Sequence, residues 1–166
     1  MYMRIYTKTG DRGETSNLNG QRVSKNDISI HLEGTLDELN SHLGLIKAML
    51  PNEDARQFLE EIQKKLMKLM AHVSDNANGK YFFSGDEVEV LEREIDRLSE
   101  NLPEKFQLVI PGKSIMEANI HIARTVARRA ERLLAAVSEE RTLCQNSCAY
   151  LNRLSDYLFV LSQVTN

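Results

Sequence analysis

Apolar residues recur at spacings of three and four along most of the chain after Gly34, and this pattern restricts the fold to helices. Segments of this kind lie at about 34–50, 53–75 and 86–101, after Ser114, and from about 142 onward. Short connections separate them, which favours antiparallel neighbours. The sequence therefore predicts an all-α protein, an antiparallel five-helix bundle, and its 166 residues are enough for one domain with a buried core.

Local residues predict where the helices start and stop. Thr35 and Glu38 form the T-x-x-E pattern of a capping box, and Pro51 follows the last apolar position of the first helix. Ser114 is expected to cap the fourth helix. We expect one face of that helix to supply core residues: Ile115, Ile122, Val126, Leu133 and Val137. A bundle over 34–166 and a polar leader over 1–33 follow from these assignments.

Composition and spacing exclude several functions. The net charge of −3 offers no global attraction to nucleic acid, and no apolar run is long enough to span a membrane. The opening residues lack the apolar stretch of a signal peptide. Cys144 and Cys148 could supply half of a metal site, but the sequence has no second Cys or His pair with matching spacing. We therefore expect both cysteines to be ordinary packing residues of a protein in a reducing cytoplasm. The four histidines are scattered, and no nucleophile–base arrangement stands out, so any chemistry is expected to proceed without a protein nucleophile.

The leader contains "TKTGDRGET" at residues 7–15, a stretch too polar to build a core. Two glycines let the backbone approach a ligand closely, and neighbouring amides, hydroxyls and cations can surround anionic oxygens. The residues concerned are Thr7, Lys8, Thr9, Gly10, Arg12, Gly13, Thr15, Arg22 and Lys25. Phosphate binding follows as a hypothesis. A flexible polar tail is the alternative, and the P-loop pattern is absent, since Gln107 stands where "GKS" would require the first glycine.

The fourth helix places charged residues together on a face opposite its apolar stripe. Arg124, Arg128 and Glu131 follow i, i+4, i+7 spacing, with His121 and Arg132 at the margins. From spacing alone, the solvated face of an amphipathic helix is the favoured explanation. Clustered arginines nevertheless repel one another unless an anion or a second subunit neutralises them.

Polar residues on two other helices could complete such a site. Asp37 lies in the predicted first turn of the first helix, where it either interacts with the helix dipole or pairs with an arginine of the fourth helix. Asn152 and Asp156 share a face of the fifth helix, and the Asn152 amide can both donate and accept hydrogen bonds.

Six segments in order resemble the corrinoid adenosyltransferases of the five-helix-bundle type, which use ATP and cob(I)alamin. They are "YTKTGDRGET", "GQRVSK", "GTLDELNSHLG", "IPGKS", "ARTVARRAER" and "LNRLSDYLF", and they extend over residues 6–159. The resemblance implies a homotrimer that binds ATP between subunits, a corrinoid substrate, and Mg²⁺ held by the triphosphate. It also implies transfer of the 5′-deoxyadenosyl group to cobalt(I), a reductase, and an adenosylcobalamin-dependent enzyme as possible partners.

The resemblance also implies roles for individual residues. The triphosphate would be wrapped by residues of the leader: Thr7, Lys8, Thr9, Gly10, Thr15 and Lys25. Arg128 would contact phosphate, Glu131 would order the site, and Asn152 would contact the nucleotide. Asp37 would pair with Arg124 across the subunit interface, beside the corrin.

The chain departs from the family pattern at three positions. Leu108 stands where relatives commonly carry Phe beside the corrin, with Phe106 two positions earlier, and Ser29 and Glu33 replace an expected Arg and Tyr. These departures leave a second reading open. In this alternative, the chain is a delivery or sensor protein with the same fold, which binds ATP or adenosylcobalamin with little turnover.

Overall fold

The computed structural model describes residues 6–75, 84–100, 102–103, 108–140 and 145–165. It contains a short antiparallel hairpin followed by five helices. The strands are β1 (Glu14–Ser16) and β2 (Arg22–Ser24), and the helices are α1 (Ile28–Met49), α2 (Glu53–Ser74), α3 (Gly85–Ser99), α4 (Ile115–Glu140) and α5 (Gln145–Val164). α1 packs against α2 and α4, and α5 packs against α4 and α3. The predicted five-helix bundle is confirmed.

The core is formed mainly by leucines from the inner faces of the helices. On α1 the fully buried residues repeat at helical spacing: Leu32, Leu36, Leu39, Leu43 and Ile46. Tyr157 of α5 is the largest fully buried side chain, and its ring centroid lies 5.3 Å from that of Phe58 on α2.

The apolar face predicted for α4 is partly wrong. Ile115 is 78% exposed and Ile122 is 46% exposed, although Val126 and Val137 are buried as expected and Leu133 is partly buried. The buried face includes three alanines that the prediction left out, and its members are Ile120, Ala123, Val126, Ala127, Ala130, Leu134 and Val137. Because α4 packs against both α1 and α5, alanines at these positions allow close approach of the helices.

The predicted start of the first helix is also wrong. α1 begins at Ile28, where the Asp27 carboxylate accepts hydrogen bonds from the Ser29 amide at 2.9 Å and the Ser29 hydroxyl at 2.5 Å. Thr35 lies inside the helix, and its hydroxyl donates to the carbonyl of His31 at 2.8 Å. The helical bundle therefore begins at Ile28 rather than at Gly34, which shortens the expected leader 1–33.

The starts of α2, α3 and α4 agree closely with the prediction from sequence. The Glu117 amide donates to the Ser114 hydroxyl at 3.1 Å, which confirms the predicted cap of α4. Asn52 caps α2 by accepting from the amide of Ala55 at 2.9 Å. Ser84 and Glu87 form a capping box at the start of α3.

The leader contains a hairpin rather than a loop alone. Thr15 lies opposite Val23, and the connecting turn is stabilised by the Asn17 side chain and by Gly20, whose φ of 76° suits glycine. The tip contacts the end of α2, because the Leu18 amide donates to the Ser74 hydroxyl at 3.2 Å. A second bond joins the Asn19 side chain to the backbone oxygen of Asp75 at 3.2 Å. The hairpin is thus attached to the bundle at its tip.

Within the described ranges, none of the helices combines the length and the hydrophobicity that crossing a membrane requires.

Candidate functional site

The hairpin and the residues before it surround an open hollow of about 720 Å³. Its lining is largely charged or hydroxylic: Lys8, Thr9, Asp11, Arg12, Glu14, Ser16 and Arg22. The backbone turns sharply here, with φ values of 59° at Lys8 and 82° at Gly13. A positive φ is uncommon for a non-glycine residue, so Lys8 holds a conformation that the surrounding turn must support.

Arg22 organises the wall of this hollow. Its guanidinium donates to the Thr9 carbonyl at 2.8 Å and to the Ser16 hydroxyl at 3.2 Å, and it lies 3.5 Å from the Glu14 carboxylate. These contacts tie the 7–13 turn to both strands. Sequence reasoning grouped Arg22 with the ligand-binding cations, whereas the structure gives it a supporting position.

Several predicted leader residues lie close together. The Thr7 and Thr9 hydroxyls are 2.8 Å apart, and the Lys25 ammonium lies 3.2 Å from where a side chain on Gly10 would begin. Glycine at position 10 therefore leaves room for the lysine. Thr15 is half-buried in the middle of β1.

The polar residues predicted on α4 and α5 also meet. Glu131 accepts a hydrogen bond from the Asn152 amide at 2.9 Å, and the Asn152 oxygen accepts one from Arg153 at 2.8 Å. Arg153 in turn donates to Glu92 of α3 at 2.8 Å. Sequence reasoning missed Arg153 and Glu92, because nothing in the spacing within one helix indicates which residue of α3 would be adjacent.

Arg128 and Asp156 belong to the same patch. Although 55% of the Asp156 side chain is exposed, desolvation raises the pKa of this carboxyl, and the Glu131 carboxylate adds to the rise. Arg153 and Arg128 act in the opposite direction. The Arg128 side chain itself is exposed, so its guanidinium is accessible to a ligand from the helix that also carries Glu131.

Arg124 is held one turn earlier on α4. Its Nε atom donates to Nδ1 of His121 at 3.2 Å, and its side chain is half-buried. Burial and the charge of Arg128 both lower the pKa of Arg124 from a normal value far above neutrality, so the guanidinium remains charged. Asp37 is exposed on α1, while its neighbour Glu38 forms an ion pair with Arg129.

The segment before α4 exposes apolar side chains to solvent. Leu108 is fully exposed and Ile110 is 87% exposed. Gly112, with φ of 120°, turns the chain into the helix. Phe106, two positions before Leu108, lies outside the described residues.

Across the parts of the chain that the structure describes, no three His, Cys, Asp or Glu side chains come together as a metal site.

The five-helix bundle, the basic leader and the exposed arginine of α4 define the class: a helical-bundle protein with surfaces suited to an anionic ligand. Comparison with known families is specific. Residues 5–165 match the model of the cobalamin adenosyltransferase family, and the chain belongs to that family.

The curated relatives are named corrinoid adenosyltransferases. A corrinoid adenosyltransferase of Citrobacter freundii is 40% identical over 166 residues, covering 97% of this chain and 94% of the relative. One from Bacillus subtilis is 38% identical over 171 residues, covering 99% of this chain and 87% of the relative. The PduO corrinoid adenosyltransferase of Citrobacter freundii is 39% identical, but this chain spans only 49% of its length.

Solved structures agree with the sequence relatives. A variant of the PduO-type ATP:corrinoid adenosyltransferase from Lactobacillus reuteri, complexed with cobalamin and ATP, superposes with a TM-score of 0.89 at 32% identity. The alignment covers 96% of this chain and 91% of that one. Another variant, complexed with ATP, also gives 0.89 at 32% identity, covering 98% and 94% of the two chains.

Proposed function

We propose that this chain transfers the 5′-deoxyadenosyl group of ATP to the cobalt(I) of a corrinoid, giving adenosylcobalamin and triphosphate. Family membership over nearly the whole chain supports the reaction class. The observation that carries the assignment to a site is the contact between Glu131 and Asn152 beside the exposed Arg128. Three residues from two helices converge there on one surface.

In this proposal the leader and α4 hold the nucleotide. The triphosphate is surrounded by Thr7, Lys8, Thr9, Gly10, Thr15 and Lys25. Arg128 contacts phosphate, Glu131 orients Asn152, and the Asn152 side chain contacts the nucleotide. Lys25 and Gly10 already lie side by side, which supports a shared role.

The chemistry requires orientation rather than a protein nucleophile. The lone pair of cobalt(I) attacks C5′ of the ribose, a Co–C bond forms, the C5′–O bond breaks, and its electron pair leaves with the triphosphate. Cationic donors beside the departing phosphates stabilise the charge that develops there. The protein's contribution is therefore to align C5′ with cobalt and to neutralise the leaving group.

Mg²⁺ is a further part of the proposal. It would be bound by triphosphate oxygens, where a hard cation prefers oxygen ligands, and would reduce the repulsion among them. The leader hydroxyls and carboxylates that line the hollow supply oxygen atoms near such an ion.

We further propose a homotrimer in which Asp37 of one subunit pairs with Arg124 of the next, beside the corrin and Leu108. Support comes from apolar side chains left exposed by the single chain near the start of α4: Leu108, Ile110, Ile115 and Ile122. Asp37 is exposed on α1 and so is accessible to a second subunit. A reductase and an adenosylcobalamin-dependent enzyme would supply electrons and take the product. The uncrosslinked thiol of Cys148 fits a reducing cytoplasm.

One assay tests the function. Purified protein is mixed with ATP, Mg²⁺ and cobalamin under strong reduction, while the visible spectrum reports adenosylcobalamin and released triphosphate is measured. The proposal predicts one triphosphate for each adenosylcobalamin over many turnovers. Stoichiometric binding without turnover would instead support the delivery or sensor protein, and binding of neither ligand would contradict both.

A further inference from the structure

A buried acid–base pair on α4 has no role in the proposed nucleotide site. Glu117 is 1% exposed and His121 is 4% exposed. One carboxylate oxygen of Glu117 accepts hydrogen bonds from the amides of Gly112 at 2.7 Å and Lys113 at 3.1 Å. The Glu117 side chain therefore fixes the segment 108–113, which contains Leu108 and leads into α4.

The other oxygen of Glu117 faces the imidazole. Its Oε1 atom lies 3.1 Å from Nε2 of His121, and Nδ1 of His121 accepts from Nε of Arg124 at 3.2 Å. Arginine has only donors, so Nδ1 must be unprotonated for this bond to form. The proton of a neutral imidazole is then on Nε2, facing the carboxylate.

The surroundings favour that neutral form. Burial lowers the pKa of His121, and the charge of Arg124 also lowers it, although the Glu117 carboxylate opposes both effects. Protonation at Nδ1 would place two donors face to face and release the arginine.

We propose that Glu117 and His121 are positioning residues that tie the 108–113 segment to Arg124. This inference rests on the proposed function, in which Leu108 and Arg124 lie beside the corrin. The carboxylate holds the segment through backbone amides and sets the tautomer that accepts from Arg124. One nitrogen of the guanidinium is thereby fixed, which leaves its terminal NH₂ groups for Asp37 of a neighbouring subunit.

A capping role alone does not account for the pair. A capping carboxylate needs only backbone amides, which Glu117 already has. Burying a carboxylate and an imidazole together is unfavourable unless their polar atoms are used. Nδ1 of His121 is used by Arg124, and the second carboxylate oxygen lies 3.1 Å from Nε2, close enough to attract its proton although the two atoms do not form a hydrogen bond of regular geometry.

The first test needs no turnover. Nitrogen-15 NMR of histidine-labelled wild-type protein, with the His121 signals assigned by their loss in His121→Asn, reports which ring nitrogen carries the proton. We expect the proton on Nε2. A proton on Nδ1, or on both nitrogens at pH 7, would overturn the proposal.

The second test uses a variant of equal size. Glu117→Gln retains an oxygen for the backbone amides but places an NH₂ group toward His121, which favours the wrong tautomer. We expect the KM for cobalamin to rise about tenfold, as for loss of a hydrogen bond to a charged group, while the KM for ATP changes less than about twofold. Glu139→Gln, at an exposed position on the same helix, is the matched control and should leave both values unchanged.

Substitutions at His121 separate positioning from packing. Asn at 121 retains an acceptor near the Nδ1 position, whereas Leu retains bulk but no acceptor. We expect His121→Asn to keep most of the cobalamin affinity and His121→Leu to lose it. Equal losses in the two variants, or a parallel rise of both KM values in Glu117→Gln, would indicate a merely structural pair and overturn the proposal. Absence of turnover in the wild type would refute the proposed function, while the NMR result would still decide the tautomer.

Discussion

Replacing Arg128 by alanine should abolish most turnover while leaving the fold intact. The side chain is exposed, and none of the ion pairs among the described residues involves it. Its removal should therefore change the free energy of unfolding by no more than about 0.5 kcal/mol, as for other surface substitutions. A preorganised donor to a developing negative charge contributes roughly 2.7 to 4 kcal/mol at the transition state. We expect kcat to fall by roughly a hundred- to a thousandfold.

The assay is adenosylcobalamin formation at saturating ATP, with thermal unfolding and sedimentation measured in parallel. Arg128→Lys should give intermediate activity, because lysine keeps the charge but loses the planar fork. Arg132→Ala removes an exposed arginine one turn further along α4 and should reduce kcat less than about threefold, since it loses a hydrogen bond to the Arg128 carbonyl at 3.0 Å and a screened long-range charge, but no contact with phosphate. Full activity in Arg128→Ala, or an equal loss in Arg132→Ala, would refute the assignment of Arg128 to the triphosphate.

Three further outcomes follow from the structure. Leu108→Phe should raise turnover when cobalt(II) must first be reduced, without a change in the KM for ATP, because the exposed position can accept a larger apolar side chain against the corrin; parallel assays from cobalt(I) and cobalt(II) check this. Asp27→Ala should lower the free energy of unfolding by about 1 kcal/mol through loss of the α1 cap, and Thr35→Ala by less, as measured by denaturant titration. At Glu87, burial raises the carboxyl pKa, but hydrogen bonds from two lysines of α2 outweigh it and the net pKa is lowered from 4.5. The ionised Glu87 carboxylate therefore stabilises the folded protein above pH 4.5, and this contribution is lost as the pH falls through the lowered pKa of the folded state. Glu87→Gln should have a lower free energy of unfolding than wild type at neutral pH, and the two values, measured by denaturant titration, should converge in acid.

The helices could be predicted because each burial pattern is local. α2 and α3 have bounds close to those expected from apolar spacing and turn residues, whereas the start expected for the fifth helix, near 142, lies outside the described residues. The start of α1 could not be predicted, because Thr35 and Glu38 imitate a capping box. The real cap, Asp27, precedes Ile28, Ile30 and Leu32, which alternate along the chain rather than follow helical spacing. The buried face of α4 was misjudged for a related reason. Alanines are buried there by contact with two helices, and hydrophobicity gives them little weight.

The candidate site was predictable only in its parts. Spacing placed Arg124, Arg128 and Glu131 on one face, but only the structure shows that Glu131 accepts a hydrogen bond from Asn152. Spacing could not reveal that His121 accepts from Arg124, because Glu117 and His121 resemble ordinary residues of a polar helix until their burial is known. Contacts between helices depend on packing angle and register, which a single helix does not encode.

Mixed oligomers test most directly whether the leader of one chain and α4 of another form one site. A variant with an inactive leader, Lys25→Ala with Thr9→Ala, is unfolded and refolded together with Arg128→Ala in equal amounts. If sites form between subunits of a closed trimer, each mixed trimer contains one interface with both parts intact, and about a quarter of wild-type activity should return. If each site forms within one chain, no intact site can arise, and activity that stays at the level of the separate variants would contradict the account.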